Sequence, residues 1–94
     1  MTLFQEVDFE TLSGGPISAV EPGTLADEIG LRPGDILLAI NDHTVEDVID
    51  VQYYGAEEEL EFLIRRDGEL YIYEAQRAYQ QSLGLEFAHP TFDT

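Results

Sequence analysis

The sequence predicts a small α+β domain: a partly open β-barrel or sandwich of five to six strands, capped by two short helices. Three observations lead there. Ile36-Leu37-Leu38-Ala39-Ile40 is an unbroken apolar run between turn signals, the pattern of a strand buried on both faces. Leu60, Phe62 and Ile64 alternate with Glu61, Leu63 and Arg65, then meet Asp67-Gly68, a two-residue loop suited to a type I′ hairpin, before Leu70 to Tyr73 returns. Two short segments with apolar residues at helical spacing, starting near Leu25 and Val45, each run to a glycine.

Taken in order, residues 1–13 show some alternation (Leu3, Val7 and Phe9 among Glu6, Asp8 and Glu10) and read as an N-terminal extension or edge strand. Gly14-Gly15-Pro16 punctuates the chain, and the domain is placed from 14 to 88. Ile17 to Val20 is a strand, turned by Glu21-Pro22-Gly23. Thr24 is suited to cap a helix, with Asp27 as its short-armed capping-box partner and Leu25, Ala26 and Ile29 on its apolar side. Gly30 is placed to end that helix in the left-handed conformation, with Leu31 supplying the accompanying contact. Arg32-Pro33-Gly34-Asp35 turns into the buried strand. A second helix is expected from Val45, with Val48, Ile49 and Tyr53 inward and Gly55 at its end. After the hairpin, Arg77 to Gln81 is a polar connection, Leu83 to Phe87 a last strand, and residues 89–94 a tail.

Composition removes several function classes. The 94 residues carry twenty Asp and Glu against four arginines and no lysine, a formal net charge of -16. Nucleic acid and anionic membrane both require clustered cations, so neither is an expected partner. The longest apolar run has five residues, far short of the roughly twenty needed to span a bilayer. No basic segment with a long apolar stretch opens the chain, so no secretory signal is expected and the cytoplasm is the expected compartment. Without cysteine there is no disulfide, thiolate metal site or cysteine nucleophile. The acidity leaves two readings: a soluble surface kept monomeric by repulsion, or adaptation to high salt.

The stretch Gly15 to Asn41, GPISAVEPGTLADEIGLRPGDILLAIN, resembles the bacterial type of PDZ domain. The shared pattern is a strand, a Pro-Gly-Ser/Thr turn, a short helix ending Gly-Leu, then Gly-Asp and a buried strand ending in Asn. Asn41-Asp42 stands where that pattern has Asn-Gly, a mild departure because Asp also tolerates positive φ. The resemblance runs from Gly14 to Ala88 and implies a circularly permuted strand order, with the peptide-binding strand last. Ser82, Leu83, Gly84, Leu85, Glu86 and Phe87 then correspond to the binding edge. The second helix forms the opposite wall, with Val48, Val51 and Gln52 as candidates for side-chain selection. A partner segment would add as a strand, and a free C-terminus would be held by backbone N–H groups near Leu83 to Leu85. Gly84 would allow close backbone approach. Arg77 is a candidate to assist the carboxylate, or to pair with Glu74. Glu86 would oppose an anionic ligand if it faced the groove.

A narrower resemblance concerns DVIDVQYYGAEEEL (47–60) and the ending LGLEFAHPTFD. These are similar to the N-terminal PDZ-like region of a bacterial family in which an iron–sulfur, radical-SAM-like region follows. The implied role is a non-catalytic docking or substrate-positioning domain of a larger oxidoreductase-like protein. The alternative is an independent binder of C-terminal or internal strands. Neither reading places a cofactor in residues 1–94.

Other candidate chemistry reads as structure. Glu57-Glu58-Glu59 with Glu61 lacks the spaced ligands of a calcium loop. His43 and His89 sit in turn-like sequence and read as surface residues. Ser82 lacks a Gly-x-Ser-x-Gly elbow, and Ser13-Gly14-Gly15-Pro16 lacks the lysine of a phosphate loop. Tyr53, Tyr54, Tyr71, Tyr73 and Tyr79 read as core and rim, with Tyr71 and Tyr73 on one strand face and Leu70 and Ile72 on the other.

Overall fold

The computed structural model describes residues 14–92. The expected N-terminal extension and the last two residues of the tail lie outside them. The elements are β1 (Gly15–Val20), α1 (Leu25–Ile29), β2 (Ile36–Ile40), β3 (His43–Thr44), α2 (Val48–Tyr54), β4 (Glu59–Arg66), β5 (Glu69–Gln76) and β6 (Leu85–Phe87). They form an antiparallel sheet in the order β5-β4-β2-β1-β6, with β3 paired to β2 and two short helices packed on it. This is the expected α+β architecture.

Local chemistry sets several boundaries where the sequence places them. Asp67 and Gly68 both have positive φ, 53° and 80°, and join β4 to β5 in unbroken register from Glu59↔Gln76 to Arg66↔Glu69. Asn41 and Asp42 repeat the device at φ 50° and 67°, turning β2 into the small strand β3. Gly30 ends α1 at φ 97°. Its N–H reaches the Asp27 carbonyl and the Leu31 N–H reaches the Ala26 carbonyl, the pair of bonds that closes a Schellman cap.

Strand β2 is buried on both faces from Leu37 to Ile40. A register shift against β4 between Leu37 and Ala39 changes the phase of its alternation. Leu37 and Ile40 therefore share the main core with Leu60, Phe62 and Ile64, while Leu38 and Ala39 join Leu63 in a second cluster. Leu25 and Ala26 of α1 and Val51 of α2 bring both helices onto the main core, with Leu31 and Val45 beside them. Each Leu, Ile or Phe buried in this way contributes about 1.5–3 kcal/mol relative to exposure.

Several local expectations change. α2 begins at Val48, not Val45. Val45 is core, but its N–H bonds the Leu38 carbonyl, and Asp47 caps the helix by accepting from the Asp50 N–H at 2.8 Å. The Asp50 carboxylate reaches back to the Glu46 N–H at 3.0 Å. With that start, Val51 faces inward, and Ile49 (68% exposed) and Tyr53 (73%) face outward. Thr24 makes no side-chain cap; its hydroxyl donates to the Glu21 carbonyl, while Asp27 accepts from the Gly23 N–H. Packing also continues past Ala88. Phe92 is 3% exposed within the main core, 4.9 Å from the Phe87 ring, and a Cβ on Gly15 would lie 2.5 Å from its ring.

Candidate functional site

β6 ends the sheet among the described residues: one edge pairs with β1, and the other faces α2 across a cleft of about 300 Å³. Val48, Val51 and Gln52 of α2 line one wall, continued by Gly55 and Ala56. Ser82, Leu83, Gly84, Leu85 and Phe87 line the other. The groove residues named from sequence thus converge on one cleft, apart from Glu86. Leu85 and Phe87 pack against the core, and Glu86 between them is exposed and outside the lining, as strand alternation requires.

The loop before β6 holds its backbone in an unusual arrangement. The carbonyls of Ser82, Leu83 and Gly84 accept from the N–H groups of Leu25, Ala26 and Glu21 at 3.0, 3.0 and 2.9 Å. In a trans peptide the next N–H points opposite to each carbonyl, and no cis bond occurs among the described residues. The N–H groups of Leu83 and Gly84 therefore point away from α1, and that of Leu85 away from the end of β1. Those of Leu83 and Gly84 donate to no described residue. Successive N–H groups turned the same way form a concavity that accepts an anionic oxygen.

Gly84 makes this loop possible for a reason the sequence did not reveal. It has φ 83°, and a Cβ there would fall 1.9 Å from the Thr24 hydroxyl oxygen. The glycine is needed to pack the loop on α1, so its substitution strikes folding as well as any ligand approach.

Both ends of the groove are tied. At one end, the Val48 N–H bonds the Pro90 carbonyl, the Phe92 N–H bonds the Glu46 carbonyl, and Asp47 bridges Thr91. At the other, the Arg77 guanidinium donates through Nη1 to the Gly55 carbonyl at 2.5 Å and through Nε to the Gln81 carbonyl at 2.8 Å. Arg77 thus joins the end of α2 to the loop and puts a positive charge beside Ser82 to Gly84. It does not pair with Glu74.

An ion pair between Asp35 and Arg66 lies away from the groove. Asp35 accepts from Arg66 Nε at 2.8 Å and Nη2 at 2.7 Å, and from the Arg32 N–H at 2.9 Å. Burial alone would raise the Asp35 carboxyl. Hydrogen bonds from Arg66 and the Arg32 amide, with both guanidinium charges, outweigh it and hold the group below the usual carboxylate value. Arg66 also reaches Tyr73 and the Gly30 carbonyl, so it joins both strands of the hairpin to the end of α1. The sequence places Asp35 as an acceptor for backbone N–H groups; it gives no sign of Arg66, 31 positions away.

The remaining candidates separate. His43 stacks on Tyr54, and His89 is exposed. Among the described residues no three His, Asp or Glu side chains gather as a metal-ligand set. Tyr73 packs on the core, whereas Tyr71, Tyr79, Leu70 and Ile72 are exposed.

A family model described as a PDZ domain matches residues 17–66, just over half of the chain. No curated protein matches it.

Proposed function

Because the chain belongs to the PDZ domain family, we propose that it is a non-catalytic interaction module in which a partner strand adds to the free edge of β6 and lies against α2. The observation that carries this reading is the loop from Ser82 to Gly84. Its carbonyls are all engaged by α1 and the end of β1, which leaves successive N–H groups aimed away from them beside Arg77. That arrangement suits a terminal carboxylate. The apolar lining from Val48, Val51, Leu83 and Phe87 suits an apolar last side chain. Glu86, turned outward, does not oppose it.

In its finer form, the module docks or positions a substrate within a larger iron–sulfur protein. The similarity of residues 47–60 and of the LGLEFAHPTFD ending to such a family supports this. The late position of the groove strand in the chain supports a permuted strand order. In this reading the domain is a cytoplasmic monomer that carries no cofactor of its own.

An NMR titration of the 15N-labelled domain with a pooled set of C-terminal peptides, beside the same peptides amidated, tests it. Shifts centred on the amides of Leu83 to Phe87 and lost on amidation are expected. Shifts that survive amidation would replace carboxylate capture with internal-strand binding. Absence of shifts with both pools would overturn peptide capture by this domain alone.

A further inference from the structure

We propose that a second cleft, on the flank of α2 turned away from the groove, receives an arginine side chain from a basic protein segment. The cleft, of about 620 Å³, lies between the β2–β3 hairpin, the end of α2 and the approach to β4. Its walls are aromatic. The His43 and Tyr54 rings stack with centroids 4.3 Å apart and planes 6° from parallel. Tyr53 stands edge-on to Tyr54 at 5.2 Å and 79°. The frame beneath is fixed. The Asn41-Asp42 turn sets His43 opposite Ile40, and the Asn41 side chain donates to the Glu59 carbonyl and accepts from the Glu61 N–H.

The chemistry of the lining selects the occupant. Tyr53 keeps most of its ring in water, an apolar face held open on a short helix. Glu57, Glu58 and Glu59 line the same cleft, and no arginine or lysine does. Consecutive carboxylates alone make only a solvated loop; the rings add a flat surface that a cation can lie against. A guanidinium meets both requirements, because it stacks on an aromatic face while its fork reaches carboxylates. An ammonium offers a point charge without the planar face. The net charge of -16 draws a basic segment toward this surface and repels a polyanion.

The test uses acetyl-Arg-Ala-Arg-amide and its lysine counterpart, titrated into the 15N-labelled chain at low salt. Saturable shifts are expected at His43, Tyr53, Tyr54 and Glu57 to Glu59, with the arginine peptide binding more tightly. Tyr53→Ala, which changes no charge at an exposed position, should weaken binding about threefold to fivefold, and Tyr53→Phe should retain it. Glu58→Gln should weaken it as well, and Glu21→Gln, which removes one charge outside the cleft, should not. Diffuse shifts that never saturate, equal losses from Glu58→Gln and Glu21→Gln, or unchanged binding by Tyr53→Ala would show attraction by net charge alone and overturn the site. Equal affinity for the two peptides would overturn the choice of arginine.

Discussion

Arg66 grips the carboxylate of Asp35 through two bonds, Nε to Oδ1 at 2.8 Å and Nη2 to Oδ2 at 2.7 Å, and Asp35 is 2% exposed. Removing only the cation would strand a charge inside the protein. Arg66→Met should cost about 3 kcal/mol, the low end for a broken buried pair because the guanidinium keeps some contact with water. The pH dependence should also change. The Asp35 carboxyl is held lower in the folded chain than in the unfolded one, so its stabilisation is present above about pH 4 and is lost as the pH falls through the folded value. Without Arg66, burial should raise the folded value above the unfolded one, so the variant should lose less stability on acidification. Urea unfolding of both proteins from pH 7 to pH 2.5, compared as a difference to cancel the other carboxylates, would measure it. A difference that stays constant with pH would remove the pair from the account of stability.

Gly30 and Gly84 share a left-handed backbone and differ in their surroundings. A Cβ on Gly30 would meet only Tyr73, at 3.9 Å, whereas one on Gly84 would strike Thr24 at 1.9 Å. Gly30→Ala should therefore cost only the conformational term, about 1–2 kcal/mol. Gly84→Ala should cost that and a steric term, about 3 kcal/mol together. Thr24→Gly combined with Gly84→Ala should recover part of the second term. Thermal unfolding of the four proteins decides it, and equal losses at the two glycines would refute the contact with Thr24.

What the sequence shows of this fold is what neighbouring residues determine among themselves. Asp67-Gly68, Asn41-Asp42 and Gly30 are legible because positive φ favours few residue types. The groove is legible at coarse scale because the family pattern orders its strand and helix. The second helix is misplaced because Asp47 and Asp50 compete with Val45 as its start, and moving the start rotates Ile49 and Tyr53 from core to solvent. Arg66 with Asp35, and Arg77 with two carbonyls, are contacts between distant segments that no local spacing announces. The role of Gly84 is hidden for the same reason, since Thr24 approaches it from another part of the chain.

Phe92 lies in sequence that reads as a tail, yet it fills the core beside Phe87 and Gly15. Phe92→Ala should destabilise by about 3–5 kcal/mol, the range for a large aromatic removed from a core. Because the Phe92 N–H also ties the chain to Glu46 ahead of α2, the loss should loosen that wall of the groove. Hydrogen exchange at Val48 and Val51 should accelerate beyond the change at Phe62 in β4. A melting temperature within a degree of the parent would show that Phe92 is not held in the core.

Arg77 combines a structural duty and a charge, and substitutions can part them. Its two donors bridge the Gly55 and Gln81 carbonyls, so Arg77→Met gives up both bonds and should cost at least about 1.5–3 kcal/mol, the range for one hydrogen bond from a charged group. It also removes the cation beside Ser82 to Gly84, and affinity for a C-terminal peptide should fall about tenfold if one charge-assisted contact of that size is lost. Arg77→Lys keeps the charge but has no fork to span both carbonyls. It should lose part of the stability and retain most of the affinity at low salt. If Lys and Met variants bind equally weakly, the role of Arg77 is to hold the loop in place. If both bind as well as the parent, the carboxylate rests on the backbone N–H groups alone, and Arg77 serves only to close the end of the groove.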